Sequence, residues 1–164
     1  MSIDYIVSSL PTLGFGQPAP MSWETFEDRA DAAGFPSRGG DAASALVDVL
    51  APEWKDLETQ LRNAVAEARG GEKYRRPAEG CSLYWKNRVL ACFQEQDPLK
   101  REQALDRVWW DAAGELTPPV SPLGKGALAT YAVRLRIALK WSGVSREAGN
   151  AAFDRLTSAT RREF

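Results

Sequence analysis

The stretch Asp97–Gly114 reads DPLKREQALDRVWWDAAG and carries the clearest helical signals in the chain. Asp97 is a suitable N-cap, and Pro98 suits the first helical position because its missing N–H needs no partner there. Apolar side chains then recur at helical spacing and form one stripe, made of Leu105, Val108, Trp109 and Ala112. The pattern predicts a central core helix with Trp109 facing inward. It leaves open whether the adjacent Trp110 is buried or faces a partner.

Cap and proline signals recur along the rest of the chain and divide it into further helical segments. Helix starts are predicted at Ser22, Asp41, Pro52, Ser82, Ser121–Pro122 and Ser145. Residues 3–10 are apolar and β-branched, which fits a helix or a strand, although a strand without a partner would be unstable. In the last helix, Phe153 and Leu156 are expected to face inward.

These segments predict an all-α fold in a single compact domain. The domain is expected to span residues 1–164 and to contain six or seven helices in a bundle-like arrangement. Within it, residues 1–21 form an N-terminal segment and a Pro/Gly loop that we expect to pack on the core.

The composition is that of an ordinary globular protein, with 44% hydrophobic and 26% charged residues. There is no apolar run of about 18 residues and no positively charged, signal-like start, so we expect a cytoplasmic protein without direct membrane insertion. The sequence pI is near 5.6 and no Lys/Arg run is interleaved with aromatic residues, so nucleic-acid binding is not expected.

Histidine is absent from the whole chain. Its absence excludes Ser-His-Asp and Cys-His nucleophilic systems, histidine general bases and histidine-bearing zinc sites. No Walker-type or Rossmann-type glycine pattern is present either. These observations favour a non-enzymatic protein without a cofactor, although catalysis by carboxylates, Lys, Arg, Tyr or Cys stays open.

Two acidic pairs supply an enzyme-like alternative, a Mg²⁺-dependent all-α nucleotide pyrophosphohydrolase. Glu24 and Glu27 read E-x-x-E, and Glu53 and Asp56 read E-x-x-D. Carboxylates three residues apart share a helix face, and two such pairs from adjacent helices could hold Mg²⁺. The order of the pairs resembles that of the all-α nucleoside triphosphate pyrophosphohydrolases. Both pairs also lie in the first turns of their helices, where the helix dipole alone favours acids.

Charge and aromatic residues supply the candidates for binding a partner. Residues 1–70 hold eleven acids and five bases, a net of −6, whereas residues 125–164 hold eight bases and three acids, a net of +5. We expect these two regions to compensate each other within the fold. A basic linker, residues 72–80, could hold an anion or an acidic partner, or could be a solvated loop. The candidate partner-binding residues are Leu13, Phe15, Lys73, Tyr74, Arg75, Arg76 and Trp110.

The chain as a whole resembles a family of uncharacterised bacterial proteins encoded among the genes of V/A-type (vacuolar/archaeal-type) ATP synthases. The matching pieces are YIVSSLPTLGFG at 5–16, MSWETF at 21–26, W-x-x-L-x-x-x-L-R-N at 54–63, DPLKREQALDRVWWD at 97–111 and LATYAVRLRIALKW at 128–141. In helical content and in its Tyr-bearing N-terminus the family is similar to the all-helical socket of these ATPases, which joins the central stalk to the rotor ring. This chain is much shorter than a full socket protein.

The resemblance implies a component or an assembly factor of such an ATPase that acts through protein–protein contacts. Stalk or rotor subunits would be its partners, and its location would be cytoplasmic or peripheral to the inner membrane through the complex. The family offers no catalytic residues to carry over to this chain.

Overall fold

A computed structural model describes residues 1–36 and 42–162. Over these residues the chain forms eight α-helices and no strand. The helices are α1 (Ile3–Ser9), α2 (Trp23–Ala32), α3 (Ala42–Leu50), α4 (Trp54–Ala68), α5 (Leu83–Cys92), α6 (Pro98–Ala113), α7 (Lys125–Ser142) and α8 (Arg146–Arg162), with short 3-10 helices at Glu72–Tyr74 and Gly114–Leu116. The all-α class is confirmed. The helix count exceeds the expected six or seven because the ambiguous N-terminal segment is helical.

Side-chain caps define several helix starts as the sequence predicts. The Asp97 carboxylate accepts from the backbone N–H of Leu99 at 2.9 Å and from that of Lys100 at 3.4 Å. The hydroxyl of Ser22 caps α2 in the same way, and that of Ser145 accepts from the third residue after it at 3.0 Å. These oxygens satisfy N–H groups that have no partner inside the helix. The predicted cap Asp41 lies outside the described residues.

The predicted start of α7 at Ser121–Pro122 is wrong. The helix begins at Lys125, with Gly124 in the N-cap position. The backbone N–H of Ser121 donates to the carbonyl of Pro118 at 3.0 Å, and its own carbonyl accepts from Gly124 at 3.4 Å. Ser121 therefore belongs to consecutive turns, which delay the helix by one turn.

The central helix of the fold is α7, not α6 as the sequence indicates. It packs against α1, α2, α3 and α6, whereas α6 packs against α4, α5 and α7. Its buried residues are Leu128, Ala129, Thr130, Ala132, Val133, Leu135, Ile137 and Ala138. They surround the helix instead of forming one stripe, which is the pattern of a helix enclosed by its neighbours.

Of the tandem tryptophans of α6, Trp110, whose burial the sequence leaves open, is the more deeply buried, whereas Trp109, expected to face inward, is covered only in part. Trp110 is 6% exposed, and Trp109 is half-buried at the edge of the core. The Trp110 ring meets the edge of Phe15 with centroids 5.5 Å apart, and the Arg134 guanidinium lies 5.3 Å from its centroid. The apolar spacing along α6 cannot indicate these contacts, because Phe15 and Arg134 come from other parts of the chain. The N-terminal loop and α7 cover the side of α6 on which Trp110 lies.

The turn from α6 into α7 depends on a glycine and a pair of threonines. A Cβ at Gly126 would overlap the carbonyl oxygen of Leu116, so α7 can approach the preceding 3-10 helix only without a side chain there. The buried Thr130 hydroxyl donates to the Ala113 carbonyl at 2.7 Å and lies 2.7 Å from the Thr117 hydroxyl. Because a hydroxyl has one hydrogen, Thr117 donates in that pair.

Among the described helices, none combines the length and the apolar character required to cross a bilayer.

Candidate binding groove and C-terminal helix

Three polar side chains on one face of α4 hold the basic linker in place. Asp56, Gln60 and Asn63 lie at spacings of four and three residues and therefore share a face. The Asn63 amide accepts from the backbone N–H of Arg76 at 2.8 Å and donates to its carbonyl at 2.7 Å. The Gln60 carbonyl oxygen accepts from the backbone N–H of Ser82 at 2.8 Å. The chain from Arg76 to Ser82 is thus tied to the helix.

Asp56 anchors the end of the linker with both carboxylate oxygens. They accept from the backbone N–H of Glu79 at 2.6 Å, the backbone N–H of Gly80 at 3.0 Å and the Gln60 side-chain amide at 2.8 Å. These donors favour the charged form, so they lower the pKa of Asp56, with the Gln60 bond contributing most.

The four acids of the pyrophosphohydrolase alternative do not come together. The helices that carry them, α2 and α4, share no substantial contact, and no group of three or more potential ligands forms among the described residues. Of the four, Asp56 already has backbone and amide donors. Its place in the E-x-x-D pair therefore reflects the anchoring of the linker, and the structure gives the magnesium interpretation no geometric basis.

A groove of about 470 Å³ opens beside the tethered linker, between α3, α4 and α7. Buried faces of Val47 and Trp54 form its apolar part. Its lining residues, which we call the basic groove, are Ser44, Val47, Asp48, Trp54, Lys55, Glu58, Thr59, Arg62, Asn63, Tyr74, Arg76 and Arg136. The volume falls within the range of small-molecule sites, roughly 300–1,000 Å³.

Positive charge dominates the basic groove. Of its four cationic side chains, Arg62 pairs with the Glu58 carboxylate at 3.1 Å. Lys55, Arg76 and Arg136 then face a single further acid, Asp48. The groove has a net charge of +2 on a chain whose overall charge is −1, and it would concentrate anions near its walls.

Of the candidate residues in the basic linker, only two line this groove. Tyr74 and Arg76 line it, and Tyr74 is 70% exposed. Arg75 lines a neighbouring cavity of about 310 Å³, while Lys73 is exposed with its ammonium 5.0 Å from the Tyr74 ring centroid. The four linker candidates are therefore accessible side chains, and Asn63 holds the backbone of Arg76 among them.

Sequence reasoning missed three cations of the groove. Lys55 and Arg62 lie seven residues apart on α4, a spacing that places them on one helix face, so periodicity could have found them. Arg136 comes from α7 and reaches the groove only through the packing of that helix against α3. No local sequence signal indicates this third contribution.

The remaining candidates, from the N-terminal loop and α6, are part of the packed structure. Leu13 and Phe15 are half-buried and pack on the core, and Trp110 is nearly enclosed. The Tyr131 hydroxyl donates to the Pro11 carbonyl at 2.9 Å, which fixes the loop against α7. These residues stabilise the fold, and little of their surface is open to a partner.

The last helix, α8, differs from all the others in its exposure. Every described side chain from Glu147 to Ala159 is exposed. Phe153 is 66% exposed and Leu156 is 70% exposed, so the expectation that both face inward is wrong. The main core already forms between Ile6 on α1 and Ile137 on α7, and it includes none of the described side chains of α8.

Comparison with known proteins identifies no relative of this chain: no family model, no curated protein and no solved structure matches it.

Proposed function

We propose that the chain is a non-enzymatic helical protein that acts through protein–protein contacts, with α8 as the principal contact element. The observation that supports this proposal is the exposure of Phe153, a large apolar side chain, on a helix whose described side chains are all exposed. Large apolar side chains contribute to stability when they leave water. A partner surface would supply the burial that the chain itself does not supply.

The sequence of α8 supports this role. Ala152, Phe153 and Leu156 share one face, because successive helical residues are about 100° apart. Gly149 and Asn150 in its first half have low helix propensity. At 17 residues the helix is near the length at which isolated helices are marginal in water, about 12–15 residues. Packing of the apolar face on a partner would stabilise it.

The charges of α8 indicate the chemistry of the partner. The helix carries four arginines and two acids, a net of +2. Its complement is an apolar groove rimmed by carboxylates, into which an amphipathic helix can dock. Burial of Phe153 and Leu156 there would contribute about 1.5–3 kcal/mol for each side chain.

The family resemblance makes the stalk and rotor subunits of a V/A-type ATPase the first partners to test. The chain would be a component of that complex or a factor in its assembly, placed beside the inner membrane through the complex. This finer assignment depends on the resemblance, whereas the proposal of α8 as a contact element depends on exposure and charge.

The experiment is co-purification of the full-length chain from its native host, with bound proteins identified by mass spectrometry. The test variant replaces Phe153 and Leu156 with Asp, and the control replaces Val120 with Asp. Val120 is an apolar residue outside α8 that is 93% exposed, so its replacement makes the same kind of apolar-to-acidic change, once, on a different surface. We expect stalk or rotor subunits with the wild type and the control, and their loss with the double variant.

Two outcomes separate the parts of the proposal. Equal recovery of the partner by the wild type and the double variant would reject α8 as the contact element. A partner that depends on α8 but is unrelated to the ATPase would reject the ATPase assignment. Recovery of the free chain alone from both soluble and membrane fractions would count against both.

A further inference from the structure

We propose that the basic groove binds a small phosphate-bearing ligand. The proposal is independent of α8, because the groove is formed by α3, α4, the linker and α7. Its cations come from three of these elements: Lys55 and Arg62 from α4, Arg76 from the linker and Arg136 from α7.

The backbone position of the linker cation is fixed before any ligand arrives. Both polar atoms of the Asn63 amide are engaged by the backbone N–H and carbonyl of Arg76, at 2.8 and 2.7 Å. The Arg76 side chain is therefore free of any role in holding the linker, and it lines the groove. A cation on a preorganised backbone loses less entropy when it binds an anion.

Phosphate suits the donors that the groove presents. Guanidinium groups offer planar, bidentate hydrogen bonds that match phosphate oxygens, and an ammonium group adds a compact point charge. Arg76 and Arg136 supply the guanidinium groups, and Lys55 supplies the ammonium. The exposed Tyr74 ring would contact an apolar portion of the ligand.

The dimensions and the two acids of the groove favour a small ligand over an acidic protein segment. The cavity of about 470 Å³ has the size of a small-molecule site. An extended acidic segment would have to pass the carboxylates of Asp48 and Glu58, which line the same groove. A compact phosphate can bind at the cations without following the whole groove.

The test is isothermal titration of the full-length chain with inorganic pyrophosphate. Variants are Arg76→Ala and Arg136→Ala, and the matched control is Lys100→Ala, which removes an equal charge from an exposed position on α6 that does not line the groove. We expect each groove variant to weaken binding by about tenfold or more, the effect of losing one charge-assisted hydrogen bond. The control should stay within about twofold of the wild type.

A parallel arm separates a soluble ligand from a lipid headgroup. Phosphatidylcholine vesicles that contain phosphatidic acid present the same phosphate chemistry at a membrane. Binding to these vesicles that is lost in the groove variants assigns the headgroup as the source, whereas binding to pyrophosphate alone assigns a soluble phosphate. Circular dichroism melts confirm folding, which we expect to be unchanged because Arg76 and Arg136 are exposed.

The proposal is overturned if neither probe binds the wild-type chain at millimolar concentration. It is also overturned if Lys100→Ala weakens binding as much as the groove variants do. The latter result would mean that diffuse positive charge on the surface, and not the groove, attracts the anion.

Discussion

Trp110 illustrates how a single side chain can depend on partners far away in sequence. Besides its ring contacts, its carbonyl accepts from Arg134 Nε at 3.0 Å. We expect Trp110→Ala to lower the free energy of unfolding by about 3–5 kcal/mol, the usual cost of removing a large buried aromatic residue. We expect Trp109→Ala to lower the free energy of unfolding by less, because Trp109 is half-buried. Urea denaturation of the two variants measures the difference, and a larger loss for Trp109→Ala would contradict the assigned burial.

Two glycines should respond in opposite directions to alanine. At Gly126 the added methyl group meets the Leu116 carbonyl, so we expect Gly126→Ala to destabilise the fold by about 1–3 kcal/mol or more. At Gly149 on α8 nothing lies within 4 Å of the added carbon, so Gly149→Ala should be neutral or raise helicity, with an intrinsic gain of about 1 kcal/mol for the helix. Thermal melts followed by circular dichroism compare them. A Gly126→Ala variant as stable as the wild type would show that the close approach is not required.

Asp56 should make the linker sensitive to acid. Its folded-state pKa lies below the ordinary value of 3.8, so its contribution is complete above that value and is lost as the pH falls through the lower folded pKa. Protonation removes acceptors from the Glu79 and Gly80 amides, whose NMR resonances should therefore shift below pH 3.8. Asp56→Asn should abolish this titration. A titration of the two amides that persists in the variant would assign it to another group.

At the scale of elements, the sequence was most informative about helix starts. Asp97 and Ser22 act through bonds to amides two or three residues away, so local sequence contains the whole signal. The start of α7 was misplaced because Ser121 and Pro122 fit a cap as well as a turn. The helix begins only after the consecutive turns at Ser121, where Gly126 lies close against the Leu116 carbonyl.

The α4 stripe shows why the candidate site was only partly predictable. The spacing of Asp56, Gln60 and Asn63 is visible in sequence, but their backbone partners lie 13 to 24 residues away, between the 3-10 helix Glu72–Tyr74 and α5. Asp56, which the E-x-x-D spacing suggested as a metal ligand, is therefore one of the anchors of the linker. The spacing of acidic residues cannot distinguish a metal ligand from an anchor of the linker, because the position of the linker is not encoded in that spacing.

At the scale of the molecule, the described ion pairs of the basic C-terminal region lead to α6 and not to the acidic residues 1–70 with which compensation was expected. Among the described residues, Lys140 of the basic C-terminal region pairs with Asp106 at 2.7 Å and Glu102 at 3.6 Å, and both acids belong to α6. Arg136 lines the groove, and the described arginine side chain of α8, Arg155, is exposed. Part of the positive charge thus lies on the two surfaces for which we propose binding.

The sequence is sufficient to predict the all-α class of the fold but not how the helices are arranged around one another. Periodicity identifies apolar faces, and those faces imply an all-α fold. It does not say which helix the others enclose, because α7 is apolar on most of its surface while α6 has the cleaner stripe. Nor could it reveal that the apolar residues of α8 stay exposed, since Phe153 and Leu156 have the spacing of a core face.

Native-state hydrogen exchange on the isolated full-length monomer tests the role of α8 most directly. We expect the amides of α8 to open with a free energy near zero, since no tertiary burial protects its described side chains. The core amides of α7 should approach the global stability of the fold, about 5–15 kcal/mol. Protection of α8 amides to the level of α7 in the monomer would show that the chain itself covers this helix, and would contradict its role as a surface completed by a partner.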